Sequence, residues 1–304
     1  MRRQLLVGLA VTVGLVLGVT LVVWAATQGW IGPHGRAKRL LVSADRLITQ
    51  GELGRAQGQL EELLTAFPDS PLSDEALMKL GHVHEQQGHL QPAQAAYRLL
   101  LERFPSSPLL TRTQERLGAV NVALLFSPTV TDSDLTYEVK PGDALGAIAS
   151  KHHVTLEVLK RANGLTGDLI RPRQKLKIPN GHFSLLVDKS QNQLLLTQDN
   201  QLFKSYPVAT GTDGSTPVGT FKIVNKLTNP VWYRQGAVVP PDSPENILGT
   251  RWLGFDKKGY GIHGSVDPAG IGKQVTAGCV RLHNADVEEL FAIVPVGTDV
   301  TVVD

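Results

Sequence analysis

The sequence predicts a multidomain chain: a transmembrane helix, an all-α region of helical repeats, a small α+β domain and a mostly-β domain, in that order. Three observations carry this. An uncharged apolar run lies near the start, a repeat of helical character follows it, and from residue 182 the pattern changes to short alternating strands. A chain of 304 residues is long enough for several such units, each with its own core.

Residues 1–30 open with Met1-Arg2-Arg3 and continue into an apolar run from Leu5 to Ala26. That is about twenty residues, the length needed to cross a bilayer as a helix. The run is longer than the apolar centre of a cleaved signal and ends in Trp24-Ala25-Ala26, a poor cleavage site, so it reads as an uncleaved anchor. Arg2 and Arg3 then stay in the cytoplasm, and everything after Trp30 lies outside, in the cell envelope. The formal charge of +2 includes those two arginines, so the remainder is close to neutral. This excludes a dedicated nucleic-acid binder.

Residues 36–118 contain an internal repeat. The segment beginning at Gln50 aligns without gaps on the segment beginning at Gln87, an offset of 37 residues (87 − 50) that superposes Phe67-Pro68 on Phe104-Pro105 and Leu80-Gly81 on Leu117-Gly118. With Leu60, Leu63, Leu64 and Phe67 at helical spacing, the period indicates stacked helical hairpins. The pattern resembles tetratricopeptide-like repeats, which implies either a surface for an envelope protein partner or a spacer. Within it, HVHEQQGH looks like a metal motif, but His84 and His89 are five apart and Gly88 ends the helix between them, so no metal is expected.

Residues 119–135 lose the helical pattern and read as a linker containing Pro128. In residues 136–179, strand-like Tyr137-Glu138-Val139 and Lys175–Ile178 bracket two short amphipathic helices, the second with Thr155 as N-cap. This order, with PGD before the first helix and ANGL after the second, resembles a LysM domain. The resemblance implies binding to N-acetylglucosamine-containing glycan strands, here peptidoglycan. Arg173 stands where that family often has glycine.

Residues 182–304 read as strands at 183–187, 193–197, 202–209, 219–224 and 299–303, with one late helix capped by Asn284 and carrying Asp286 and Glu288 in its first turn. The only cysteine of the chain, Cys279, lies here in TAGCVRL. An exported chain with one unpaired thiol holds either an inert buried residue or a reactive one. Sixteen residues earlier, GIHGS places His263 in a turn between Gly261 and Gly264. A thiol needs a neighbouring base to act as a nucleophile, and His263 is the candidate. The Gly278 and Cys279 amides are candidate donors to an oxyanion, and Arg281 is a candidate partner for a carboxylate.

The series GTDGSTPVGTF, NILGTRWLGF, GIHGS and TAGCVRLHNAD is similar to the YkuD-type L,D-transpeptidases from Phe183 to Val303. That resemblance implies a cysteine that attacks the third-residue carbonyl of a peptidoglycan stem tetrapeptide, releases D-alanine and passes the acyl group to an amine. Carried over, Cys279 is the nucleophile, His263 the base, Gly264 or Ser265 the backbone that orients its ring, and Gly278 with Cys279 the oxyanion site. Arg281, Trp252 and Tyr260 form the candidate substrate-binding set, and Asn284 and Asp286 match as helix caps. Many members carry a second histidine before the G-C pair, where this chain has Ala277, so base duty falls to His263. Trp232, Tyr233 and Trp252 form either a lid over the cleft or a cap on the core. No cofactor, metal or phosphate loop is implied, since AGIGKQV lacks the required glycine and Ser/Thr. The same acyl-enzyme also suits an L,D-carboxypeptidase or attachment of a protein to the wall, and a non-catalytic wall-binding scaffold is the reading from a different class.

Overall fold

The computed structural model describes residues 32–304 apart from Gln235, and the chain divides into two compact units, one ending at Thr113 and one running from Gln114 to Asp304. In the first unit, α1 (Gly32–Thr49), α2 (Leu53–Ala66), α3 (Ser73–Gln86) and α4 (Leu90–Arg103) pack in succession, and α5 (Leu110–Leu125) begins there. The helix starts follow the sequence repeat: α4 begins 37 residues after α2 (90 − 53) and α5 the same distance after α3 (110 − 73). Leu60 and Leu63 of α2 are fully buried, and Leu64 and Phe67 pack against the same core, so the apolar stripe faces inward. Gly88 turns the chain after α3 at φ +76°, leaving His84 and His89 on different segments with ring centroids 6.2 Å apart. No group of three His, Cys, Asp or Glu side chains is placed to hold a metal among the described residues. No described helix is long and apolar enough to cross a membrane; the run Leu5–Ala26, on which the anchor expectation rests, lies outside the described residues.

Residues 119–125, expected to belong to a linker, instead continue α5. The amphipathic pattern fades because Val120, Asn121, Val122, Leu124 and Leu125 are all buried, which leaves no polar face to mark the period. Asn121 donates to the Phe203 carbonyl at 2.8 Å, and Val122 and Leu125 join the core of the second unit. The irregular stretch that follows is pinned by buried Lys177, whose Nζ donates to the carbonyls of Leu124 (2.8 Å), Ser127 (3.0 Å) and Thr129 (2.7 Å).

Strands β1 (Leu135–Glu138) and β2 (Lys175–Ile178) pair antiparallel around α6 (Leu145–Lys151) and α7 (Leu156–Arg161). Thr155 caps α7 as expected, its hydroxyl accepting the Val158 N–H at 3.0 Å. Beyond them come β3 (Phe183–Asp188), β4 (Gln193–Gln198), β5 (Gln201–Pro207), β6 (Thr210–Gly211), β7 (Gly219–Thr228), β8 (Trp232–Arg234), β9 (Ala237–Val239) and β10 (Arg251–Phe255). After these lie β11 (Gly261–His263), β12 (Gln274–Thr276), β13 (Val280–Arg281), α8 (Asn284–Ile293) and β14 (Asp299–Val303). An eight-stranded sheet has the order β13-β11-β10-β7-β14-β3-β4-β5, while β8 and β9 form a separate hairpin. Val287, Leu290 and Ile293 of α8 are buried in a core that also takes in Leu145, Ile148, Val158 and Leu159 of the smaller domain. The two therefore share one hydrophobic interior.

Candidate active site

His263 was expected in a turn, and is instead the last residue of a strand. The glycine at 261 serves the neighbouring strand rather than a bend: a Cβ there would lie 2.8 Å from Cζ2 of Trp252. β11 pairs antiparallel with β10, setting Trp252 opposite His263, and parallel with β13, setting Ile262 opposite Val280 and His263 opposite Arg281. Side chains alternate along a strand. Ile262 and Val280 are fully buried in the core, so His263, Arg281 and Cys279, one residue before β13, look the other way. All three line one cleft of about 440 Å³, together with Trp252, Trp232 and Tyr233.

The His263 ring stacks on Trp252 with centroids 6.1 Å apart and an interplanar angle of 20°. Its Nδ1 lies 2.7 Å from the Gly264 carbonyl, which only accepts, so the neutral ring carries its proton on Nδ1 and keeps a lone pair on Nε2. Burial pushes the imidazole down to about 4; the Gly264 carbonyl works against this, the Arg281 charge adds to it, and the Leu248 backbone also opposes it. Cys279 is half-buried with Sγ 3.6 Å from the Gly259 carbonyl. Burial raises its thiol above the ordinary range, against the opposing pull of the Gly261 backbone and Arg281. The resting pair is thus neutral thiol and neutral imidazole.

The turn before Cys279 is closed by Thr276, whose hydroxyl donates to the Cys279 carbonyl at 2.6 Å and accepts the Gly278 N–H at 3.2 Å. This corrects the oxyanion expectation in part: the Gly278 amide is already spent, and no hydrogen bond ties the Cys279 N–H among the described residues. Gly278 has φ +130°, and a Cβ there would sit 2.8 Å from Cε1 of Tyr260 and 2.9 Å from the Ser215 carbonyl. Tyr260, expected to touch substrate, thus backs this turn and does not line the cleft. Arg281 does line it; its backbone pairs with Ala209, and its buried Nε has no partner among the described residues.

Asn284 also departs from expectation. It is the first residue of α8, His283 occupies the cap position without a side-chain bond, and Asp286 lies in the first turn. The Asn284 Oδ1 instead accepts the N–H of Ser265 at 3.1 Å and of Thr250 at 3.2 Å. The Ser265 hydroxyl closes its own turn, donating to the Asp267 carbonyl. The Asn284 bonds follow no local spacing, since their partners lie 19 and 34 residues away in the chain, whereas the Thr276 bonds span only two and three residues within TAGC.

Two parts of the chain are similar to known families. Residues 182–302 match the L,D-transpeptidase catalytic domain (YkuD), and residues 137–179 match the LysM domain. A Bacillus licheniformis protein that carries the name L,D-transpeptidase YkuD is 38% identical over 176 residues, 55% of this chain and 98% of the relative. Its Bacillus subtilis namesake is 37% identical over 175 residues, again 55% of this chain and 98% of the relative. Among solved structures, the catalytic domain of an Enterococcus faecium L,D-transpeptidase acylated by ertapenem is 24% identical, covering 40% of this chain and 98% of that one with a TM-score of 0.34.

Proposed function

Because the chain belongs to the YkuD-type L,D-transpeptidase family, we propose that Cys279 and His263 carry out acyl transfer between peptidoglycan stem peptides. The observation that carries this assignment is the strand register that turns both side chains into one cleft, with Nδ1 of His263 already committed to a carbonyl. Nε2 takes the thiol proton as Sγ bonds to the third-residue carbonyl carbon of a stem tetrapeptide. The oxyanion faces the Cys279 N–H. Collapse breaks the peptide bond, and Nε2 returns its proton to the departing D-alanine amine. An acceptor amine then attacks the thioester, giving its proton through Nε2 to the leaving sulfur.

Arg281, whose side chain lines the cleft, holds a substrate carboxylate. Trp252 and Trp232 give the cleft apolar walls, which disfavour water as the acceptor and so favour cross-linking over trimming. The LysM region binds glycan and raises the local concentration of stems. The run Leu5–Ala26 anchors the chain in the cytoplasmic membrane with both units on its outer face, and the tetratricopeptide-like helices of residues 36–118 offer a surface to an envelope protein.

The full chain in detergent should gain the mass of one carbapenem on intact-mass spectrometry. Cys279→Ala should gain none, and His263→Ala should react about 10²- to 10⁴-fold more slowly. A wild-type chain that stays unmodified would leave only the wall-binding scaffold.

A further inference from the structure

The structure assigns Asn284 a part in the reaction: it is a positioning residue that selects the tautomer of His263. The two hydrogen bonds concerned belong to one peptide unit. Its carbonyl is that of Gly264, 2.7 Å from Nδ1 of His263, and its N–H is that of Ser265, 3.1 Å from Oδ1 of Asn284. A peptide is planar, with C=O and N–H pointing in opposite directions. Fixing one end therefore fixes the other. Were this unit to flip, its N–H would face Nδ1, the proton would move to Nε2, and the ring would have no lone pair left for the thiol.

Such a flip is cheap where glycine precedes the peptide, because its backbone populates regions closed to other residues. A lock is needed, and the packing supplies one. A Cβ on Gly264 would come within 2.2 Å of Asn284 Oδ1, and one on Gly249 within 2.3 Å, so both glycines leave room for the amide. The Thr250 N–H holds the same oxygen from the other side, and the Gly264 N–H is tied to the Arg251 carbonyl at 3.2 Å. Asn284 itself sits on the first turn of α8, whose buried face fixes it to the core. Among the described residues Asn284 bonds through this oxygen alone, so a carboxylate of the same shape keeps both acceptor bonds.

This assignment rests on His263 being the base, and the experiment separates the two. Carbapenem acylation of the full chain is timed for wild type, His263→Ala, Asn284→Ala and Asn284→Asp, and ¹⁵N spectra of histidine-labelled protein report which ring nitrogen of His263 carries the proton. Asn284→Ala should slow acylation by about 10²-fold, the cost of misplacing a reacting group by roughly an ångström, and move part of the His263 population to the Nε2–H form. Asn284→Asp should restore both. The assignment is overturned if wild-type His263 is protonated on Nε2, if Asn284→Ala reacts at the wild-type rate, or if Asn284→Asp is as slow as the alanine variant. Should Asn284→Ala fail to fold, the wild-type spectrum and the aspartate variant still decide it. If His263→Ala reacts as fast as wild type, the base assignment itself has failed.

Discussion

Burial keeps His263 uncharged near neutral pH. Its folded pKa, about 4, lies below the ordinary 6.5, so on acidification the unfolded chain takes up this proton first. Stability present above pH 6.5 is therefore lost as pH falls toward 4, by about 3 kcal/mol for this one group. Melting temperatures measured from pH 7 to pH 4 should drop less steeply for His263→Gln, which has nothing to protonate. Identical slopes would mean that the imidazole is not buried as described. Cys279 moves the opposite way: its alkylation by iodoacetamide should keep rising past the ordinary thiol range, without the acid-side plateau of a preformed thiolate–imidazolium pair.

Among the elements, the end of α5 depends on one lysine. Lys177 on β2 is 5% exposed and donates to three carbonyls, of which that of Leu124 also accepts the Ser127 N–H, with Asp134 3.5 Å away as its charge partner. Lys177→Met should destabilise the second unit by about 3 kcal/mol, read from a denaturant melt, because it strips a buried charge pair of one member. Elements of this kind separate what is legible in sequence from what is not. The helices of the first unit and strands β3, β4, β7 and β14 are legible, since each repeats apolar residues at its own period. That Cys279 and His263 line one cleft is legible from chemistry. The strand that holds His263 is not, since its glycine makes room for Trp252 of the adjacent strand. Asn284 looks like a cap because its place at a helix start is local, whereas its bonds reach 19 and 34 residues back.

On the scale of the whole second unit, the LysM region and the β-rich domain are packed as one interior. The Thr155 hydroxyl, besides capping α7, donates to the Ala292 carbonyl near the end of α8, the helix whose first residue is Asn284. Removing residues 136–179 takes Leu145, Ile148, Val158 and Leu159 out of that interior and unties the helix from Thr155. The truncated chain should therefore melt at a lower temperature and lose carbapenem reactivity together with wall binding. A truncation that loses only wall binding, with its melting unchanged, would show that the shared interior contributes little.

The same joint has a consequence for substrate choice. A glycan held by a module that shares its interior with the cleft-bearing domain meets that cleft at a set distance and bearing. The enzyme would then act as a fixed-span caliper, its bond pattern along a strand set by the distance and bearing between two points on a single body rather than by diffusion of a tethered domain.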